Sequence, residues 1–396
     1  VLVLVLTFVL LFVLGIPIAF CLGISTLFTM LMTMDFTPAV TTIAQRMAGG
    51  VNSFALLAIP LFILSGELMN RGGAARRLVD LGRALAGGLP GGLVHVNIIG
   101  CLLFAAVSGS AVATCAGIGA FMVPLMVREG YGREYGAAVN ITASTTGLIV
   151  PPSNILIVYS LASGGVSIAA LFVAGYLPGL LVGGGIALAA TWMARRRGLV
   201  AREATVPLLR AAREAFPSLL LVAIVMGGIV GGVFTATEAA GIAVLYALLL
   251  AVVVHRELRL NELPAVLVSA SATTGVVLLL VGASMAMSWV MAFEGIPQGV
   301  AEVLLTQAAN PVLLLLIMNV LLLAVGTFMD MTPAVLIFTP IFLPVAVELG
   351  IDPVHFGIVM VLNLCVGLCT PPVGSVLFVG CSVAGTDLRR VLPSLM

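Results

Sequence analysis

Apolar residues run along this chain in blocks far longer than the half-buried faces of a soluble domain. The first block covers 1–34 and carries Pro17 just after Gly15, where a kink is expected. A second occupies 51–70. Between 71 and 88, Arg71, Arg76, Arg77, Asp80 and Arg83 alternate with Leu78, Val79, Leu81 and Leu85 at helical spacing, which predicts an amphipathic helix lying along a membrane surface. The block at 91–127 is interrupted by Ser108-Gly109-Ser110, so two shorter helical pieces are expected there. A polar turn at 128–134 precedes residues 136–163, and another apolar run fills 166–193. Further blocks lie at 217–233, 236–255, 264–292 and from 311 onward. At roughly 20 apolar residues per crossing, the chain has room for about ten to twelve spans or half-spans.

Composition removes the alternatives to a membrane protein. Of 396 residues, 61% are hydrophobic and 8% charged, whereas a soluble surface needs about 25% charged residues. Soluble enzymes and nucleic-acid binders are thereby excluded. The net charge of +1 names no electrostatic partner, but charge placement is informative. Most charged residues fall in six short stretches, at 71–83, 128–134, 195–214, 256–262, 348–352 and 387–390, which are expected to be loops. The stretch 195–215 holds six arginines and is expected to be a cytoplasmic connector under the positive-inside rule. It divides the chain into a first half, 1–194, and a second, 216–396. The six cysteines show no metal-ligand spacing and are expected to be small packing residues. With no basic leader, the first apolar block is read as a retained span.

The two halves repeat each other. At an offset of 220 residues, Pro124, Gly130, Gly147, Pro151, Pro152 and Gly165 recur as Pro344, Gly350, Gly367, Pro371, Pro372 and Gly385. Such paired halves mark secondary transporters, in which discontinuous helices from each half meet at a central site.

The repeat carries its chemistry in two kinds of interruption. In GLIVPPS (147–153) and GLCTPPV (367–373), two consecutive prolines remove two backbone donors and push Val150 and Thr370 out of helical conformation. The helix has to stop and restart, leaving carbonyls that attract a cation on one side and N–H groups that attract an anion on the other. Such groups survive in a bilayer only inside protein or beside a wet cavity. The other interruption pairs 106–114 with 326–334, where Ser108, Ser110, Thr327 and Thr332 supply neutral oxygens suited to a hard ion such as sodium. Asp330 is an intramembrane carboxylate and a functional candidate on that ground, although Asp330-Met331-Thr332-Pro333 also reads as a helix start. Asn140, Asn154 and Asn363 are either braces between helices or solute contacts. Glu67 is expected to pair with Arg71 one turn away, and Glu238 to serve the first turn of its helix. No Walker A, HExxH or Gly-x-Ser-x-Gly motif is present, which weighs against an intramembrane hydrolase built on Asp330 or Ser108.

Taken in order, SGSAVATCAGIGAFMVPLM, TTGLIVPPSNILIVY, GTFMDMTPAVLIFTPIFLP and GLCTPPVGSVLFVG resemble the large membrane subunit of tripartite ATP-independent periplasmic (TRAP) transporters over essentially the whole chain. The resemblance implies an all-α polytopic protein of the bacterial inner membrane, with two repeats, re-entrant helical hairpins and separate scaffold and transport domains moving as an elevator. It implies sodium-driven import of an organic acid, no catalysis and no bound cofactor. A periplasmic substrate-binding protein and a small four-helix membrane subunit are the implied partners. The alternative within transport is a stand-alone carboxylate carrier. Sodium is expected at Ser108, Gly147, Val150 and Pro152 in the first half and at Gly326, Thr327, Gly367, Thr370 and Pro372 in the second. The solute is expected at Ser108, Ser110, Asn140, Ser153, Asn154 and Asp330. Relatives continue past the VLP motif at 391–393 with another span, so a last span is expected to be missing here.

Overall fold

The computed structural model describes residues 2–89, 91–198, 207–307, 310–371 and 374–395. Its described residues form helices joined by short turns, with no strand among them. Among the described residues, eight helical segments are long and apolar enough to cross a membrane.

The first copy of the repeat runs α1 (Leu2–Val13), α2 (Ile18–Met30), α3 (Phe36–Val51), α4 (Ala58–Arg71), α5 (Ala74–Ala86), α6 (Gly92–Ser108), α7 (Ala111–Arg128), α8 (Arg133–Thr145), α9 (Asn154–Ala162) and α10 (Ile168–Arg196). The second runs α11 (Leu208–Val230), α12 (Ala236–Leu249), α13 (Leu263–Phe293), α14 (Ile296–Gln307), α15 (Pro311–Phe328), α16 (Met331–Glu348), α17 (Pro353–Leu368), α18 (Ser375–Ala384) and α19 (Leu388–Leu395). The offset seen in the sequence superposes them element by element. The pair α6–α7 corresponds to α15–α16, and the interrupted helix α8–α9 to α17–α18. At the ends, α10 corresponds to α19.

The turns between elements repeat at atomic detail. After α7, Gly130 takes φ +83° and Tyr131 N–H donates to the Met126 carbonyl at 2.9 Å. After α16, Gly350 takes φ +79° and Ile351 N–H donates to the Ala346 carbonyl, also at 2.9 Å. Both are left-handed helix ends that a side chain would strain, which is why glycine recurs at this register. One difference is instructive. Where the first copy breaks between α3 and α4 at Asn52-Ser53, the second copy runs straight through as the single long helix α13. Asparagine and serine compete for backbone hydrogen bonds and stop helices readily.

The copies are interlocked. Across the repeat, α7 packs on α18 as α16 packs on α9, and α10 packs on α17 as α19 packs on α8. A shared hydrophobic core runs through both, with Phe172, Tyr159, Phe356 and Leu377 buried. All six cysteines are free, and all but the half-buried Cys369 are buried. The amphipathic helix expected after Arg71 is α5, but Leu78, Val79 and Leu81 are buried because α6 and α11 cover that face. Glu67 pairs with Arg71 at 3.2 Å. Glu238 forms a capping box, its carboxylate accepting from Thr235 N–H at 2.8 Å and its own N–H donating to the Thr235 hydroxyl.

Candidate functional site

Each hairpin tip is a chain reversal of two residues. In the first, Gly109 ends α6 in the left-handed region (φ +61°), and Ser110 caps α7, its hydroxyl accepting from Ala113 N–H at 3.3 Å. Ser108 and Thr114 hydroxyls bond each other at 3.0 Å, joining the two arms. In the second tip, Asp330 occupies the cap position of α16 without a side-chain cap bond. Its carboxylate instead accepts from the Ser375 hydroxyl at 3.2 Å, across to the start of α18. Asp330 thus marks the helix start that the sequence offers, while its side chain is turned to another element.

The double prolines do interrupt their helices. After α8 a short tight turn ends with Val150 N–H donating to the Thr146 carbonyl at 3.1 Å, and α9 restarts at Asn154. The peptide bond between Pro151 and Pro152 is cis. Ser153 is buried, and its hydroxyl donates to the Leu148 carbonyl at 2.5 Å. In the second copy Thr370 N–H donates to the Gly367 carbonyl at 2.9 Å, and α18 restarts at Ser375. Pro372 lies outside the described residues.

Tips and breaks touch within each copy. A Cβ placed on Gly109 would lie 3.4 Å from the Pro152 carbonyl oxygen and 3.3 Å from Asn154 Nδ2. Gly147 meets Ala105 of α6 so closely that no side chain fits between them. In the second copy Gly326 and Gly367 bring the backbones of α15 and α17 together, and Thr327 O accepts from Gly374 N–H at 3.2 Å. The carbonyls of Leu368 and Thr370 face the same glycine. Val150 is placed differently from its companions, its side chain packing against Gly179 of α10.

The two copies meet at a cavity of about 520 Å³. Ser108, Gly109 and Ser110 line it from one tip, and Asp330, Met331 and Thr332 from the other. Asn154 and Leu368 bring the two breaks to the same wall, while Glu67 and Asn70 of α4 and Thr273 of α13 close the opposite side. Asn154 Oδ1 is buried with no hydrogen-bond partner, and an unsatisfied buried acceptor in a native site calls for an explanation. The N-terminal ends of α7, α9 and α16 all reach the cavity, bringing their positive dipole ends to it. Glu67 and Asp330 supply two carboxylates, and no basic side chain lines the cavity among the described residues.

Of the residues singled out in the sequence, the structure thus brings Ser108, Ser110, Asn154 and Asp330 to one cavity. Asn140 and Ser153 do not reach it. Asn140 Nδ2 donates to the Cys115 carbonyl at 2.8 Å and braces α8 against α7, while Asn363 Nδ2 donates to the Asn319 carbonyl and Oδ1 at 2.9 Å. Ser375, Asn70 and the cavity face of Glu67 were not foreseen. Ser375 corresponds through the repeat to Ile155, so symmetry could not flag it. Among the described residues no group of three His, Cys, Asp or Glu side chains stands ready for a metal. The donors at the cavity are hydroxyls, amides and carboxylates, hard oxygen groups rather than thiolate or imidazole.

The chain matches the family described as tripartite ATP-independent periplasmic transporter, DctM component, over residues 5–396. It is 50% identical to the protein YgiK of Salmonella typhimurium, with all of this chain and 91% of that one aligned. It is 41% identical to the C4-dicarboxylate TRAP transporter large permease protein DctM of Pseudomonas aeruginosa, over 91% of this chain and 86% of the relative. Among solved structures, the YdaH transporter of Alcanivorax borkumensis, described as having an unusual topology, is similar with a TM-score of 0.60 at 16% identity, covering 90% of this chain and 84% of that one.

Proposed function

The chain belongs to the DctM family of TRAP transporter large permeases, and on that premise we propose that it imports an organic acid together with sodium through the cavity between its hairpin tips. The family's transport is tripartite, so a periplasmic binding protein delivers the solute and a small membrane subunit completes the permease. Dicarboxylates, sugar acids and keto acids share the feature this cavity addresses, a carboxylate.

The observation that carries the proposal is the charge of the lining. Glu67 and Asp330 are present, no arginine or histidine is, and three helix N-termini converge. Helix N-termini and the Asn154 Nδ2 group can receive a carboxylate, but with Glu67 already paired to Arg71 an anion beside the Asp330 carboxylate in a low-dielectric site needs a counter-charge. A cation bound at the tips and breaks supplies it. In the first copy the carbonyl of Pro152 lies beside Gly109, and Ser108 and Gly147 belong to the same contact between α6 and the break. In the second, the carbonyls of Thr327, Leu368 and Thr370 gather around Gly374. Bound sodium orders the tips, the ordered tips present their N–H groups to the solute, and neither ligand binds well alone.

The interlocking of α7 with α18 and α9 with α16 supports movement of tips and breaks as one body, against α4 and α13 on the other side of the cavity. The test is uptake of the binding-protein-delivered solute into proteoliposomes containing the chain and its small subunit. An inward sodium gradient is expected to drive accumulation, and equal uptake in potassium medium would remove sodium from the mechanism.

A further inference from the structure

Away from the transport cavity, a second cavity of about 380 Å³ opens between α5, the start of α11 and the turn after α12. Its wall holds three guanidinium groups, from Arg77, Arg210 and Arg213, together with Glu214 and His255. Arg77 is already fixed, bonded to Glu257 at 2.7 Å and to the Gly73 carbonyl at 2.9 Å. Arg210 pairs with Glu214 one turn along α11 at 2.9 Å, on an exposed surface where such a pair is weak. Arg213 is exposed and makes no hydrogen bond or ion pair with any described residue.

His255 adds a second, independent demand. Its Nδ1 lies 3.0 Å from the Gly72 carbonyl, which can only accept, so the proton sits on Nδ1. Burial and the Arg77 charge lower the pKa of the ring and keep it neutral. Nε2 is then an acceptor, and it is buried with no partner. The wall therefore wants an anion for its guanidiniums and a hydroxyl for its imidazole. The surroundings are apolar. Val254 and Pro217 line the cavity, and Leu208, Leu209 and Phe216 of α11 and Val253 and Val254 in the turn that continues α12 are exposed, on two helical segments long enough to cross a membrane.

We propose that this cavity binds the phosphate of an anionic phospholipid with a hydroxyl-bearing headgroup. The guanidiniums of Arg210 and Arg213 grip the phosphate, a headgroup hydroxyl donates to His255 Nε2, and the acyl chains lie along Leu209, Phe216 and Val254. The lipid joins α5 to α11 from outside. A soluble phosphate compound offers the same headgroup chemistry without the chains.

The full chain and its Arg213→Gln variant are purified and titrated with dioleoylphosphatidylglycerol, dioleoylphosphatidylcholine or inorganic phosphate, and bound mass is read by native mass spectrometry. Arg213 is exposed and unpaired, so the variant is expected to fold normally. Retention of phosphatidylglycerol in preference to phosphatidylcholine, weakened about five- to tenfold in the variant, is the expected result. Saturable binding of inorganic phosphate with the same loss in the variant would keep the phosphate site and assign it to a soluble ligand. Equal retention of the two lipids with no phosphate binding, or a variant that binds as the unaltered chain does, would overturn the proposal.

Discussion

Asn154 and Asn140 show how two similar residues on neighbouring elements separate into an unsatisfied group at the cavity wall and a brace. Asn154 leaves Oδ1 buried and unpartnered at the cavity, whereas Asn140 spends its amide on the Cys115 carbonyl. Replacing Asn154 with Ala removes that acceptor, which no described residue satisfies, and with it the Nδ2 donor proposed to meet the solute carboxylate. Thermal stability is expected to hold while the KM for solute rises about tenfold, the cost of about one hydrogen bond to a charged group. Asn140→Ala is expected to do the reverse, lowering stability by about 1–3 kcal/mol through the lost brace between α8 and α7 and the space it leaves, with KM unchanged. Urea or thermal unfolding beside uptake kinetics separates the two. Asp330→Asn keeps the bond from Ser375 but removes a negative charge beside the proposed cation. Its expected signature is a higher sodium concentration for half-maximal uptake, and an unchanged sodium dependence would take Asp330 out of the ion's surroundings.

At the level of elements, the sequence pattern was most informative where the backbone has few choices. Paired prolines dictate a break, and a small residue in the left-handed region dictates a turn, so the interruptions at 147–153 and 367–373 and the reversals at Ser108–Ser110 and near Asp330 were all legible. The apolar blocks also located most of the spanning helices. What the sequence could not show was which side chains meet once the elements fold. Ser375 reaches Asp330 because α18 restarts beside the second tip, and Glu67 reaches the cavity because α4 crosses its open side. Neither depends on local pattern. The amphipathic α5 makes the same point, since periodicity reveals an apolar face but not whether protein or lipid covers it. The contact of α15 with α17 gives a direct test of element packing. A Cβ on Gly367 would lie 2.6 Å from Gly326 Cα, so Gly367→Ala is expected to force the helices apart at a cost of about 1–3 kcal/mol. Gly184→Ala, in open space on α10, is expected to change stability by less than about 0.5 kcal/mol. Equal melting temperatures for the two variants would show that this close approach does not matter.

Across the whole molecule, duplication converts two weak features into one site. A single broken helix leaves unpaired main-chain groups that have to be hidden; two copies, packed so that each hairpin leans on the other's broken helix, enclose those groups around a shared wet space. Under the proposed function, the same arrangement lets ion and solute depend on each other with no basic side chain among the described residues that line the site. The central claim is that this paired architecture selects sodium, and it is tested most directly by thermal unfolding of the purified chain during titration with NaCl or KCl at constant ionic strength. Stability is expected to climb with sodium by about 1.4 kcal/mol per tenfold once the site begins to saturate, and to stay flat with potassium. Superimposable titrations for the two salts would contradict it.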